Sequence, residues 1–241
     1  MVKSRIIFIT HSDHADPGAV ADGLHARGFE ADICCPFLGD SLPPIAGGRP
    51  EGYDAAVVFG GPMGVSDAVE MTFLAEEIEW VSTLLEHDAP LLGICLGAQM
   101  MAYALGAQVW EHPEEIREIG YHEVNATPEG QSLFPKRLIA YQWHSEGFDV
   151  PRSAELLATA NGGFRNQAFR HGENGYAVQF HPEMIPRTME RWVTSEKGAP
   201  QLGLPGAQPA NVQRAEAPKH DPAMRRWLEG FLDIWLALND A

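Results

Sequence analysis

The stretch Pro90-Leu91-Leu92-Gly93-Ile94-Cys95-Leu96-Gly97-Ala98-Gln99-Met100-Met101-Ala102-Tyr103-Ala104-Leu105-Gly106 changes character at one residue. Before Cys95 it is a short apolar run of strand length. After Cys95 it carries helix formers up to the stop signal Gly106. Gly93-Ile94-Cys95-Leu96-Gly97 therefore has the form G-x-C-x-G at a strand-to-helix turn. A nucleophile elbow needs that context, because glycines two residues either side let the crossing backbones approach. The turn places sulfur at a helix N-terminus, where the dipole and free N–H groups favour thiolate over thiol. The Leu96 amide is then a candidate oxyanion donor. A buried structural cysteine satisfies the same spacing, and the strand-to-helix position favours the nucleophile.

Working toward the N-terminus, residues 54–59 form another apolar run, ending in Gly60-Gly61-Pro62. Residues 69–86 show helical spacing through Phe73, Ile78, Val81 and Leu85. Ile6 to Ile9 reads as a buried strand, residues 19–27 as a helix stopped by Gly28, and residues 29–34 as a second strand. Residues 39–52 are rich in Pro and Gly and read as loop. Strand and helix alternating in this way predict an α/β fold, an open, mostly parallel sheet flanked by helices.

Toward the C-terminus the strand candidates crowd together, at 117–124, 138–142, 155–159, 167–170 and 176–180. Few helices separate them, so some antiparallel strands are expected in the second half. A helix is predicted over 188–196. Residues 197–221 are rich in Pro, Gly, Ala and Gln and read as a mobile surface loop. An amphipathic helix is predicted over 223–238, with Trp227, Leu228, Phe231 and Trp235 on its apolar side. The whole chain, 1–241, is expected to be a single domain.

Phe180-His181-Pro182-Glu183 follows a strand, so His181 sits at a strand end, where functional groups of α/β sheets collect. A thiol nucleophile needs a base that takes a proton and returns it to the leaving group, and His181 can do both. Glu183, two residues on and separated by a restricting proline, can fix the imidazole tautomer. On its own the H-P-E triplet is a weak signal. It gains force from the cysteine elbow.

The 241 residues carry a net charge of -16 and are 45% hydrophobic. That acidity excludes a phosphate-binding basic surface, so neither nucleic acid nor an anionic membrane face is an expected partner. Three cysteines, two of them adjacent at Cys34 and Cys35, do not make a disulfide framework and point to a reducing cytoplasm. No apolar run is long enough for a signal sequence or a membrane span. The groupings His11/Asp13/His14, His112/Glu114/Glu115 and His171/Glu173 lack zinc spacing, and no metal or other cofactor is expected.

Four segments taken in order carry a family resemblance: Phe59-Gly60-Gly61-Pro62, Gly93 to Gln99, Gln142-Trp143-His144-Ser145, and Val178-Gln179-Phe180-His181-Pro182-Glu183. Together they resemble the class I (triad) glutamine amidotransferases, flavodoxin-like proteins such as the glutaminase domain of GMP synthetase. The match runs over about 54–183. The resemblance implies Cys95 as nucleophile, His181 as base and Glu183 as third triad member. It implies Gly61 and Leu96 as the oxyanion hole. Gln99 would help hold the amino-acid end of the substrate, the strand His144-Ser145-Glu146 would offer that end backbone contacts, and Trp143 would either wall the pocket or pack. The implied reaction frees ammonia from the side-chain amide of glutamine through a thioester. Only 58 residues follow Glu183 (241 − 183), too few for a synthetase domain. Either a separate synthetase subunit takes the ammonia, or the chain acts alone on a γ-glutamyl peptide or conjugate. A non-catalytic binding module on the same fold is the third reading. The first two differ in what surrounds the amino-acid end of the pocket, especially at residues 11–14 and 197–221.

Overall fold

The computed structural model describes residues 4–237. Strands β1 (Arg5–Ile9), β2 (Glu30–Cys34), β5 (Ala55–Val58), β6 (Leu91–Ile94) and β13 (Gly175–Val178) run parallel, in the spatial order β2-β1-β5-β6-β13. The sheet continues through β12 (Asn166–His171), β11 (Ala154–Thr159), β8 (Glu118–Ala126) and β9 (Arg137–His144), each antiparallel to its neighbour. The change of direction expected in the second half thus falls at β13, which pairs parallel on one edge and antiparallel on the other. Two small antiparallel pairs lie outside the main sheet: β3 (Ile45–Ala46) with β4 (Arg49–Pro50), and β7 (Val109–Glu111) with β10 (Glu146–Phe148).

Both faces of β1, β5, β6 and β13 are apolar, which is why these strands read as continuous hydrophobic runs, whereas the edge strand β2 is largely exposed. Ile6, Phe8, Val57, Ile94, Tyr176 and Val178 face one layer, formed by helices α1 (Gly18–Ala26) and α5 (Ala210–Ala237). Ile7, Ile9, Val58, Leu91 and Ala177 face the other, formed by α2 (Thr72–Glu86) and α3 (Leu96–Ala104). The alternation of successive residues between the layers is the period-2 pattern of a strand. Among the described residues no helix is long and apolar enough to cross a membrane.

Residues 197–221 are not one continuous loop, and irregular backbone is confined to the turn at 195–198 and to 204–209. A short 3-10 turn occupies Ala199–Gly203, and α5 begins at Ala210, running through Pro218 and Pro222. Each proline removes one backbone hydrogen bond, a cost of roughly 3 kcal/mol in a helix interior. Tertiary contacts hold this half in place. Gln213 is fully buried and accepts a 2.7 Å hydrogen bond from Tyr141 Oη, Asp221 accepts one of 2.7 Å from Tyr121 Oη, and Arg214 pairs with Glu190 of helix α4 (Pro186–Thr194) at 2.7 Å. Composition pointed to loop, and packing overrode it. The helix expected over 223–238 is the second half of the same element, and Leu238 lies outside the described residues.

Candidate active site

The elbow forms as the sequence requires. β6 ends at Ile94, Cys95 adopts φ 52° and ψ −104°, and α3 starts at Leu96. A positive φ at a non-glycine residue costs of order 1–3 kcal/mol and persists only where surrounding structure enforces it. The flanking glycines supply that structure. A Cβ on Gly97 would lie 2.2 Å from the Val58 carbonyl oxygen, and one on Gly93 2.7 Å from the Gly97 carbonyl carbon. Helix α3 therefore rests directly on strand backbone, as the G-x-C-x-G spacing predicts. Leu96 is the first helical residue, so its N–H has no partner within the helix.

His181 comes from the neighbouring parallel strand. The β13 ladder pairs Val178 with Ile94, and the Cys95 N–H donates to the Val178 carbonyl at 2.9 Å. The chain continues through Gln179 and Phe180 to His181, which leaves the sheet beside the cysteine. Cys95, His181 and Glu183 are all buried, at 6%, 2% and 4% exposure. The His181 Nδ1–H donates to Glu183 Oε1 at 2.7 Å, and Nε2 is buried without a hydrogen-bond partner. Burial alone would lower the imidazole pKa. The Glu183 carboxylate and the Cys95 sulfur outweigh it and push it up to about 10. The turn at Glu183 is fixed from outside, because its carbonyl accepts the Ala19 N–H at 2.9 Å, at the start of α1. Gly18, at φ 46°, has no room for a side chain there, since its Cβ would meet that carbonyl oxygen at 2.1 Å.

The Gly60-Gly61 loop closes over this pair. An added Cβ at Gly60 would lie 3.0 Å from His181 Cε1 and 3.4 Å from Cys95 Cβ; at Gly61 it would lie 2.9 Å from Leu96 Cδ2. The structure thus brings Cys95, His181, Glu183, Gly61 and Leu96 together.

The remaining residues singled out from the sequence are arranged differently. Gln99 is buried, and its amide donates to the Glu146 carbonyl at 3.1 Å. His144 Nδ1 contacts the same carbonyl at 2.9 Å, while its Nε2 lies 3.1 Å from Gln142 Oε1 and 3.3 Å from Glu118 Oε2. Both side chains brace the backbone of β10 at Glu146. Ser145 is half-buried, and the carbonyl of Trp143 lies 4.0 Å from Cys95 Sγ. The Glu146 carboxyl is raised above its ordinary range, first by burial and then by repulsion from Glu111 and Asp67. It presses on the backbone of Gly64, where a Cβ would meet it at 2.4 Å.

Sequence reading missed three contributors. Gln179 donates to Cys95 Sγ at 3.7 Å, although it stands inside the segment that carries His181. Trp192 of α4 packs edge-on over His181 at 5.0 Å and against Trp143 at 5.5 Å; its helix was predicted, but no local pattern marks it as a lid on the imidazole. Buried His11 meets Glu77 at 2.9 Å, a pair 66 residues apart that only the folded chain reveals.

The model of the family described as "Glutamine amidotransferase class-I" matches residues 41–197. The glutamine amidotransferase-like protein YfeJ of Salmonella typhimurium is 28% identical over 194 residues, covering 77% of this chain and 78% of that protein. A glutamine-hydrolyzing GMP synthase subunit of Thermoplasma volcanium is 34% identical over 139 residues, covering 56% of this chain and 64% of that protein. A crystal structure of a glutamine amidotransferase from Thermotoga maritima aligns with a TM-score of 0.86 at 28% identity, covering 98% of this chain and 99% of that one.

Proposed function

We propose that this chain, which belongs to the class-I glutamine amidotransferase family, releases ammonia from the side-chain amide of glutamine by cysteine acyl transfer. The observation that carries the reading is the strained Cys95 at a helix N-terminus, beside a buried His181 whose other nitrogen holds the Glu183 carboxylate at 2.7 Å. The Cys95 thiolate attacks the amide carbon. The tetrahedral oxyanion is met by the N–H groups of Leu96 and Gly61. His181, as imidazolium, gives its proton to the departing ammonia, and the C–N bond breaks to leave a γ-glutamyl thioester. Neutral His181 then takes a proton from water. The hydroxide formed attacks the thioester, releasing glutamate and the free sulfur. Glu183 holds the imidazole in one tautomer throughout. None of these steps uses ATP, a metal or another cofactor.

Two of the GMP synthase relatives are named as subunits, which supports a separate synthetase partner as acceptor of the ammonia. A second reading, hydrolysis of a γ-glutamyl peptide or conjugate without a partner, is favoured by the Gly60 carbonyl, which His11 Nδ1 already contacts at 3.2 Å. A glutaminase assay on the purified chain, with a panel of γ-glutamyl peptides alongside, tests both. Weak glutaminase activity that rises with a synthetase partner supports the first, and brisk turnover of one γ-glutamyl compound supports the second. A folded, reduced chain that cleaves none of them, with or without such a partner, would leave a non-catalytic binding module instead.

A further inference from the structure

The parallel ladder between β1 and β5 pairs Ile9 with Val58 and is extended by the Phe59 N–H donating to the Ile9 carbonyl at 3.0 Å. Two residues beyond Ile9 and Val58, His11 and Gly60 leave the sheet side by side. The His11 ring lies between two oxygens. Nδ1 is 3.2 Å from the Gly60 carbonyl, and Nε2 is 2.9 Å from Glu77 Oε1 of α2. Each ring nitrogen thus has an oxygen within hydrogen-bond reach. Both side chains are 0% exposed, and Glu77 Oε2 has no hydrogen-bond partner. A buried polar pair is a poor source of stability compared with apolar side chains of the same volume. The pair calls for another account.

The Gly60-Gly61 peptide supplies it. In a trans peptide the C=O and the following N–H point in opposite directions. Fixing the Gly60 carbonyl toward His11 therefore turns the Gly61 N–H away from His11, while the same loop lies against Cys95 and His181. With glycine on both sides, this peptide can rotate at little steric cost. We infer that His11, oriented by Glu77, is a positioning residue that holds the Gly60-Gly61 peptide with its N–H turned toward the oxyanion. This rests on the acyl-transfer reading above. Nothing about it requires a partner chain, so the oxyanion hole is set within this chain.

Truncating His11 alone would leave the buried Glu77 carboxyl without its partner, so the test uses paired variants. His11→Leu/Glu77→Leu removes both polar groups. His11→Asn/Glu77→Leu restores a donor, because an asparagine Nδ2 can occupy the place of Nδ1. Each is compared with wild type for kcat and KM on the γ-glutamyl substrate it cleaves, for Cys95 alkylation by iodoacetamide, and for the Gly61 amide resonance in an NMR spectrum. The Leu/Leu variant should lose about 10-fold or more in kcat, short of the roughly 10²–10³-fold for removing an oxyanion donor outright. Its KM and alkylation rate should stay near wild type, and its Gly61 resonance should broaden or double. The Asn/Leu variant should recover kcat and a single Gly61 resonance. Unchanged kcat in Leu/Leu, or equal loss in both variants, would overturn the inference. A wild-type chain that cleaves no γ-glutamyl amide would sink the functional reading instead. In that case the Gly61 resonance decides the positioning role: doubling in Leu/Leu alone supports it, and one sharp resonance in all three proteins refutes it. Should Leu/Leu fail to fold, His11→Met/Glu77→Leu fills the volume differently and makes the same comparison.

Discussion

Replacing Glu183 with Gln isolates what its charge does. The substitution keeps the volume and an oxygen to accept the Nδ1–H, and it removes one negative charge 2.7 Å from a buried ring. In the native chain burial lowers the His181 pKa, yet Glu183 and Cys95 raise it to about 10 from an ordinary 6.5. That difference corresponds to about 5 kcal/mol in favour of imidazolium. If Glu183→Gln returned the ring only to 6.5, roughly one imidazole in ten would be charged at pH 7.5, against nearly all in the native chain. Burial, no longer opposed by the carboxylate, would lower it further. The group that must protonate the departing ammonia would then be mostly neutral. An NMR titration of the His181 ring nitrogens reads that population directly. The native ring should stay protonated across neutral pH. The Glu183→Gln ring should be mostly neutral at about pH 7.5 and gain its proton only as the pH falls. Matching titrations would refute the reasoning, because the carboxylate would then not be what holds the imidazole charged.

Four further outcomes are expected. Cys95→Ala and His181→Ala should each cut turnover by several orders of magnitude, with the double variant little worse than either, because groups acting as a unit lose their effect together; steady-state kinetics showing multiplied losses would separate the two residues. A diazo-ketone analogue of glutamine should label Cys95 and spare Cys34, whose thiol is pushed up to about 11 by burial and nearby Asp40, and peptide mass spectrometry would expose equal labelling. Alkaline pH should destabilise the fold. His181 contributes stability that is full below its unfolded value of 6.5 and lost as pH rises through about 10, and Cys34 adds to the same limb above 9.0. Chemical denaturation between pH 6 and 10 should show stability falling, and a level or rising curve would contradict both shifts. Gly97→Ala places a Cβ 2.2 Å from the Val58 carbonyl oxygen and should cost about 1–3 kcal/mol, lowering Tm by several degrees; a melt at the native temperature would show that the helix can lift off the strand freely.

The parts of this fold that were legible are those fixed by local chemistry. G-x-C-x-G reads correctly because a strand-to-helix turn with a backbone contact at Gly97 leaves no alternative residue there. The two-faced apolar runs at Ile6 to Ile9 and Leu91 to Ile94 read as interior parallel strands for the same kind of reason. Residues 210–221 did not, because their helix depends on Gln213 and Asp221 reaching tyrosines about 70 to 100 positions earlier in the chain. Composition has no access to such contacts. The pairing of His11 with Glu77 is hidden likewise: His11 read as part of the grouping His11/Asp13/His14 and Glu77 as part of a helix, and nothing local joins two residues 66 apart. The Gln99 and His144 side chains turn to the Glu146 carbonyl, a direction that spacing alone does not specify.

Helix α5 has a further consequence for how the protein is made. Its Trp227, Phe231 and Trp235 cover the same sheet face as Ile6, Phe8 and Val178. Arg27, just after α1, reaches across to the Glu229 carbonyl oxygen at 2.7 Å. Strand β1 emerges from the ribosome well before α5, with roughly 200 residues between them. At about 5–20 residues per second, the first strands wait some 10 to 40 seconds for their cover. Throughout that interval α1 alone covers that face. Demand on chaperones should therefore peak just before α5 emerges. A nascent chain whose strands have all left the ribosome, but whose α5 has not, would hold the sheet with one face only partly covered.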